Sequence, residues 1–277
     1  MTIKILFSAN EENWRRYKAP LQDALDDKSL DYELGITITP SEVDYIIYAP
    51  SSPLQDFSPY TKLKAVLNLW AGVEGVTNNK TLNVPLARMV DSGLTDGMVE
   101  WVTGHTLRHH LGIDKHIHGQ VGIWRSYVPP LAKDRIITIL GLGTLGTACG
   151  IALERLGFNV RGWSRKEKRV DGILCFYGDD QIDSSLLDAD IVVLLLPDTP
   201  LTQNILNQHT LNLLKRGAFV LNPGRGPLID DDALLAALET GQIEHATLDV
   251  FRIEPLPKNH QYWSNNKVTV IPHKASE

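Results

Sequence analysis

The chain is short of sulfur, of long apolar runs and of positive charge. Its 277 residues include two cysteines, Cys149 and Cys175, which is too few for a disulfide framework, and no Cys/His cluster has metal-ligand spacing, so no metal is expected. Both cysteines read as small buried apolar residues. No apolar stretch approaches the ~20 residues of a membrane span, and the opening MTIKILFSAN is too short and too strand-like for a signal peptide. The expected compartment is therefore the cytoplasm. A formal net charge of -6 argues against nucleic acid or anionic membrane as a partner, since both need broad basic surface.

What the chain does have is alternation. Short β-branched runs are separated by helical patterns, which implies an α/β fold with parallel sheets. IKILFSA, DYIIYAP, KAVLNLWAG and PLARMVD are the strands of a first part. RIITIL, FNVRGW, DIVVLLLP, AFVLN, ATLDVF and KVTVIP are those of a second. Between them GLTDGMVEWVTGHTLRHH reads as a helix, entered through a glycine-containing joint at residues 92–96. We expect two domains, residues 1–94 and residues 95–277.

Directly after RIITIL comes GLGTLG, with Gly141, Gly143 and Gly146 in G-x-G-x-x-G spacing, followed by a helix on which Leu145, Cys149, Ala152, Leu153 and Leu156 recur at helical spacing until Gly157. The first glycine permits a tight turn, the second lets the backbone approach a pyrophosphate, and the third lets the helix pack closely on its strand. A glycine turn alone is weak. The strand before it, the helix after it and the next strand, FNVRGW, make it a dinucleotide fingerprint.

About twenty residues further on, an NAD-binding chain carries Asp or Glu for the ribose 2′-hydroxyl, whereas Arg suits the 2′-phosphate of NADP. Here the strand ends in Ser164, Arg165 and Lys166, within a stretch (residues 161–169) that holds five of the chain's 27 Lys and Arg. We therefore expect NADP(H) to be preferred over NAD(H), with Lys168 and Arg169 read as solvated charges. A methyltransferase on the same turn is disfavoured, because its ribose position should be acidic.

In an open α/β sheet ligands sit beyond the carboxyl ends of the strands. AFVLN runs into PGRGPLI and presents Arg225; ATLDVF runs into RIEPLP and presents Glu254; KVTVIP runs into His273. Hydride transfer to a ketone leaves an alkoxide that must be protonated, and His is the usual acid near neutral pH. Glu254 on the other ring nitrogen would fix the tautomer and favour the charged ring. The planar fork of Arg225 suits the carboxylate and carbonyl of a 2-oxo acid.

Together GLGTLG, LLLPDTPLTQNIL, LNPGRGPLIDDDALLAALETGQIEHATLDVFRIEPLP and VIPH resemble the D-isomer-specific 2-hydroxyacid dehydrogenases, and GWSR resembles their glyoxylate/hydroxypyruvate reductase A branch. The resemblance is specific over residues 135–273 and fainter before them. It implies a Rossmann doubly wound cofactor domain beside a smaller flavodoxin-like α/β substrate domain, and reduction of glyoxylate or hydroxypyruvate by NADPH. By the same resemblance Arg225, Glu254 and His273 take the catalytic places. Thr144, Leu145, Pro197, Thr202 and Asp249 join the cofactor contacts, Asp249 near the nicotinamide carboxamide. LWAGVEGV resembles a loop whose backbone amides receive the substrate carboxylate, which makes Trp70, Ala71 and Gly72 the substrate candidates.

Two departures stand out. The chain has NPGRG where the family usually has LARG, so Pro223 and Gly224 bear on how Arg225 is aimed. It ends four residues after His273, and the expectation is that the substrate domain lacks a C-terminal helix the family returns to it. Trp70 and Tyr48 leave a bulkier 2-oxo acid such as phenylpyruvate as an alternative, and a dinucleotide-sensing binding protein is a second. The resemblance also implies a homodimer through the cofactor domain, involving the helix that carries His105, His109 and His110, which read as solvated or interface residues.

Overall fold

The computed structural model describes residues 2–276 except Gln120 and Arg125, with Glu74 described in its backbone only. Contacts divide the chain into two compact units, Met1–Asp91 and Ser92–Glu277.

The first unit runs β1 (Ile3–Ser8), α1 (Glu11–Asp26), β2 (Tyr32–Gly35), β3 (Tyr45–Tyr48), β4 (Ala65–Asn68), α2 (Glu74–Thr77) and β5 (Leu86–Ala87). Its five strands are parallel in the order β2-β1-β3-β4-β5. Successive side chains of a strand face opposite ways, and the two faces bury separately. Ile5, Phe7 and Ile47 pack beneath Trp14, Tyr17, Leu21 and Leu25 of α1. Leu6, Ile46, Tyr48 and Val66 pack on the other side.

The second unit runs α3 (Ser92–Leu111), α4 (Ile113–Ile117), β6 (Ile136–Leu140), α5 (Thr144–Arg155), β7 (Asn159–Ser164), β8 (Leu174–Tyr177), α6 (Ile182–Leu186), β9 (Ile191–Leu194), α7 (Gln208–Leu213), β10 (Ala218–Asn222), α8 (Asp231–Thr240), β11 (Ile243–Leu248) and β12 (Val268–Val270). Its seven-stranded sheet has the order β12-β11-β10-β9-β6-β7-β8, every pair parallel. The alternation is again legible in the core. Leu140, Val192 and Leu194 face α7 and α8 residues, while Ile137, Ile139, Ile191 and Val193 face Met98 and Val102 of α3 and Cys149 and Leu153 of α5. This is a doubly wound sheet. Because all strands are parallel, their carboxyl ends share one edge, and the loops after β6, β7, β9, β10, β11 and β12 leave from that edge.

α5 stops where the sequence says it should. Gly157 has φ +90°, its N–H donates to Glu154 O (2.7 Å) and the Phe158 N–H donates to Leu153 O (3.3 Å). These two bonds form a Schellman end that a side-chain-bearing residue would strain. Leu156, expected on the apolar stripe, is instead 46% exposed, because the chain leaves the helix there.

Three other expectations change. β2 and β8 were not anticipated and PLARMVD shrinks to the two residues of β5; all three lie at sheet edges and none contains a fully buried residue. Cys149 is buried but Cys175 is only half-buried. The histidines of α3 are not solvated: His109 and His110 are buried in their own unit. His109 stacks on Phe219 (4.6 Å between rings, 17°) and its Nε2 lies 2.9 Å from Thr247 Oγ1. Burial pushes its pKa down to about 3, so the ring is neutral and serves as packing. Half-buried His105, at 4.4 Å from the Trp101 ring, is pushed to about 4 for the same reason.

Candidate active site

The glycine loop is built by steric necessity at two of its three positions. A Cβ on Gly141 (φ +114°) would lie 2.5 Å from Leu195 O, and one on Gly146 would lie 1.8 Å from Gly141 O. These glycines let the loop close on β9 and let α5 start against it. Gly143 is different: it is exposed and a Cβ there would meet nothing within 4 Å. The open side of the loop is therefore at Gly143, at the N-terminus of twelve-residue α5, beside exposed Thr144 and half-buried Leu145. Amides at such an end have no intrahelical partner, and the space suits a pyrophosphate.

The basic segment follows β7, the neighbour of β6. Ser164 is buried and its hydroxyl donates to Lys166 O (2.8 Å), which shapes the turn that leaves Arg165 and Lys166 exposed. Lys168, read as solvated, instead donates through Nζ to Leu142 O inside the glycine loop. Its charge thus stands at the loop's rim. Arg169 does remain a surface residue, paired with Glu167 at 3.3 Å. The group of cations around a glycine cradle fits a dinucleotide carrying an extra phosphate. After β9, Thr202 Oγ1 donates to Pro197 O (2.7 Å) and accepts from Thr199 N (2.9 Å). The hydroxyl is thereby used to close the loop on itself.

The loop after β10 is braced from beneath by Asn222, fully buried. Its Oδ1 accepts from Gly224 N (3.1 Å) and its Nδ2 donates to Arg225 O (2.9 Å). Gly224 has no room for a Cβ, which would lie 2.7 Å from Leu194 O. That explains Gly224 at the place where the resemblance leads one to expect a larger residue. Arg225 is half-buried and donates through Nη1 to Gly224 O (2.6 Å).

Glu254 and His273 meet. His273 Nδ1 lies 2.8 Å from Glu254 Oε2, and Glu254 Oε1 accepts from Phe251 N (2.9 Å). With Nδ1 engaged, Nε2 is the ring atom left for chemistry. His273 sits in a left-handed conformation, φ +54°, which a non-glycine residue keeps only when its surroundings hold it there. Here Asp249 holds it. His273 N donates to Asp249 O (2.8 Å), Lys274 N to Asp249 Oδ1 (2.8 Å) and Ala275 N to Asp249 Oδ2 (3.0 Å). Burial raises the pKa of Asp249, against the pull of those two amides.

In the first unit, Trp70 is exposed and Ala71 and Gly72 are half-buried on the loop after β4. Tyr48, raised beside Trp70 as a residue that leaves room for a bulkier acid, is only 2% exposed and its hydroxyl donates to Leu54 O (3.0 Å). It belongs to the core. Reading the sequence took Lys168 for a solvated charge and did not single out Asn222. Asn222 had one usable signal, an amide at the last position of a strand that runs into a glycine-containing loop. Among the described residues no cluster of three His, Cys, Asp or Glu is arranged to hold a metal ion, and no helix is long and apolar enough to cross a membrane.

Comparison with known proteins fits this geometry. Residues 104–275 match the D-isomer specific 2-hydroxyacid dehydrogenase NAD binding domain. The chain is 40% identical over 223 residues to a glyoxylate/hydroxypyruvate reductase A of Serratia proteamaculans, covering 78% of this chain and 71% of that protein. A crystal structure of a D-isomer specific 2-hydroxyacid dehydrogenase from Xanthobacter autotrophicus Py2, in complex with NADPH and MES, aligns with a TM-score of 0.92 at 36% identity and covers 100% of this chain and 89% of that one. An NADPH-dependent glyoxylate/hydroxypyruvate reductase from Sinorhizobium meliloti, in complex with NADP and sulfate, aligns with a TM-score of 0.86 at 31% identity, with 100% and 89% covered. With more than half its length matched by the family's own domain and relatives this similar, the chain belongs to the D-isomer specific 2-hydroxyacid dehydrogenase family.

Proposed function

We propose that this protein reduces small 2-oxo acids with NADPH, glyoxylate to glycolate and hydroxypyruvate to D-glycerate. The observation that carries the reading is the 2.8 Å pair of His273 and Glu254, on the sheet edge that also presents Arg225 and the glycine loop. In this reading Met1–Asp91 is the substrate domain and Ser92–Glu277 the cofactor domain.

Gly141, Gly143, Thr144, Leu145 and Gly146 receive the pyrophosphate, and Arg165, Lys166 and Lys168 the 2′-phosphate, supported by the NADPH and NADP found on the similar proteins. Pro197 and Thr202 border the nicotinamide side. A reduced nicotinamide held there supplies a hydride to the keto carbon. Arg225 forks onto the carboxylate and carbonyl oxygen, holding the acid in one orientation. His273, with Nδ1 on Glu254, gives its Nε2 proton to the oxygen as negative charge develops, and Glu254 stabilises the charged ring before the transfer. Asp249 acts from behind, through the backbone turn that aims His273. In this reading the backbone amides of Ala71 and Gly72, on the loop after β4, receive the substrate carboxylate.

The test is cofactor oxidation with glyoxylate, hydroxypyruvate and phenylpyruvate, each with NADPH and with NADH. Arg165→Ala is expected to raise the KM for NADPH about 10- to 100-fold, the worth of one charge-assisted hydrogen bond to a phosphate, and to leave the KM for NADH nearly unchanged. Equal movement of both constants removes the 2′-phosphate role; silence of the parent enzyme with all three acids ends the reading.

We further propose a homodimer. Its surface lies not on the buried histidines of α3 but on the segment after it, where Ile117, Val121, Ile123, Trp124 (98%), Val128 and Leu131 are exposed. Monomers rarely leave so many large apolar side chains in one stretch open to water. A solution mass of twice 30.8 kDa is expected, and a monomeric mass at micromolar concentration overturns the proposal.

A further inference from the structure

Glu254 rides on an exposed loop. Residues 252–255 and 258–259 are all exposed, and of the apolar side chains between Arg252 and Tyr262, Leu256 packs against the core while Ile253 does not. A segment that buries so little has few contacts to resist displacement. Yet its carboxylate must stay 2.8 Å from His273 Nδ1.

Both ends of this loop are tied to one side chain. Asp231 opens α8, and its two oxygens are used separately: Oδ1 accepts from the Tyr262 hydroxyl (2.8 Å) and Oδ2 from Arg252 Nε (3.4 Å). Arg252 adds to its end through Nη2, which donates to Ile229 O, just before Asp231 in the chain, and to Asn204 Oδ1 (2.7 Å). Tyr262 is 2% exposed, and a buried phenol needs a partner for its O–H. Burial first, and then the charge of Asp231, raises its pKa, so the group remains a donor. An acidic residue in the first turn of a helix is favoured by the dipole alone, and Asp232 has that placement too and is exposed. Both donors of the Glu254 loop nevertheless go to Asp231, which the dipole does not require.

We propose that Asp231 is a positioning residue for the acid pair: by holding Arg252 at one end and Tyr262 at the other, it fixes the loop that sets Glu254 against His273. This rests on the reading of the protein as a 2-oxo acid reductase with His273 as its acid. A carboxylate suits the task because it offers a separate acceptor oxygen to each end and a charge to the guanidinium. A hydroxyl at 231 has one oxygen on a shorter arm, and an aliphatic residue leaves the Tyr262 O–H buried without an acceptor.

The experiment measures kinetics with NADPH and glyoxylate for Asp231→Ala and, as the control for charge lost at a helix end, Asp232→Ala, each in the parent and in a Glu254→Gln background. In the parent, Asp231→Ala is expected to lower kcat at least about tenfold, since a displacement of about 1 Å can cost 10²-fold. The KM for glyoxylate and the Kd for NADPH should stay within about twofold, and Asp232→Ala within about twofold of the parent in every constant. In Glu254→Gln, already slowed, Asp231→Ala is expected to cost less than about twofold more, because two changes that act through one group do not add. An equal loss in both backgrounds overturns the proposal, since a general structural defect then accounts for it. An equal loss in Asp232→Ala, or parental activity in folded Asp231→Ala, overturns it as well. If Glu254→Gln is itself as active as the parent, the pairing with His273 is not used and the proposal falls with it, whereas a parent that reduces no 2-oxo acid ends the reductase reading first. Should Asp231→Ala not fold, Tyr262→Phe carries the same comparison: it frees one end, keeps the ring in the core, and is expected to show a smaller loss in the parent and none in Glu254→Gln.

Discussion

Asn in place of His273 is expected to lower kcat for glyoxylate by about 10²- to 10⁴-fold, the usual worth of a positioned acid, while NADPH titrates the variant as it does the parent. Asn is the substitution of choice because position 273 has φ +54°, a region Asn tolerates better than other side chains. The turn held by Asp249 through the amides of residues 273–275 therefore survives. What disappears is a ring that can donate a proton from Nε2 while Nδ1 rests on Glu254 at 2.8 Å. Among the described residues the loops after β6, β7 and β9 make no side-chain bond to His273, whose ring bonds to Glu254, so a large loss of NADPH affinity in this variant would mean that the ring packs against the nicotinamide instead. Retained turnover would reassign the acid.

How far the sequence carried this picture differs from element to element. The glycine loop was readable because spacing alone expresses it: Gly141 and Gly146 have no room for a Cβ, while a Cβ on Gly143 would meet nothing within 4 Å. The strand ends were readable because parallel topology puts every carboxyl end on one edge, so Arg225, Glu254 and His273 could be grouped before any distance was known. β8 carries an apolar run, LCFY, that marks it as a strand, but the edge strand β2 was not readable, since YELG has no such run. Nor was the direction of individual side chains. Lys168 and Lys166 are two residues apart in the same basic run, yet only the fold tells that Lys168 reaches the carbonyl of Leu142. Tyr48 next to a loop in sequence terms turned out to be core, because strand alternation sends it to the packed face with Leu6, Ile46 and Val66. Periodicity identifies which residues are buried far better than it identifies which of two polar neighbours reaches a site.

Ala at position 226 is expected to be as damaging as loss of the acid, although a methyl group adds no chemistry. A Cβ on Gly226 would lie 1.9 Å from the carbonyl carbon of Phe251, 2.2 Å from its oxygen and 2.3 Å from Arg252 N. These are backbone atoms, with no side chain to swing aside, so one of two loops must move. If the loop after β10 moves, Arg225, the preceding residue, leaves its position over Asn222. If the loop after β11 moves, Phe251 N withdraws from Glu254 Oε1, and the carboxylate that orients His273 goes with it. Either displacement dismantles the site, and overpacking of this kind costs about 1–3 kcal/mol of stability, sometimes more. The expected result is a fall in kcat/KM for glyoxylate of at least about 10²-fold, since near-attack geometry tolerates displacements of only about an ångström, together with a lower midpoint of thermal unfolding. NADPH binding should persist wherever the protein stays folded, because Gly226 lies outside the glycine cradle. A Gly226→Ala enzyme with parental activity and melting would mean that the two loops are not in the contact on which the orientation of both Arg225 and Glu254 depends.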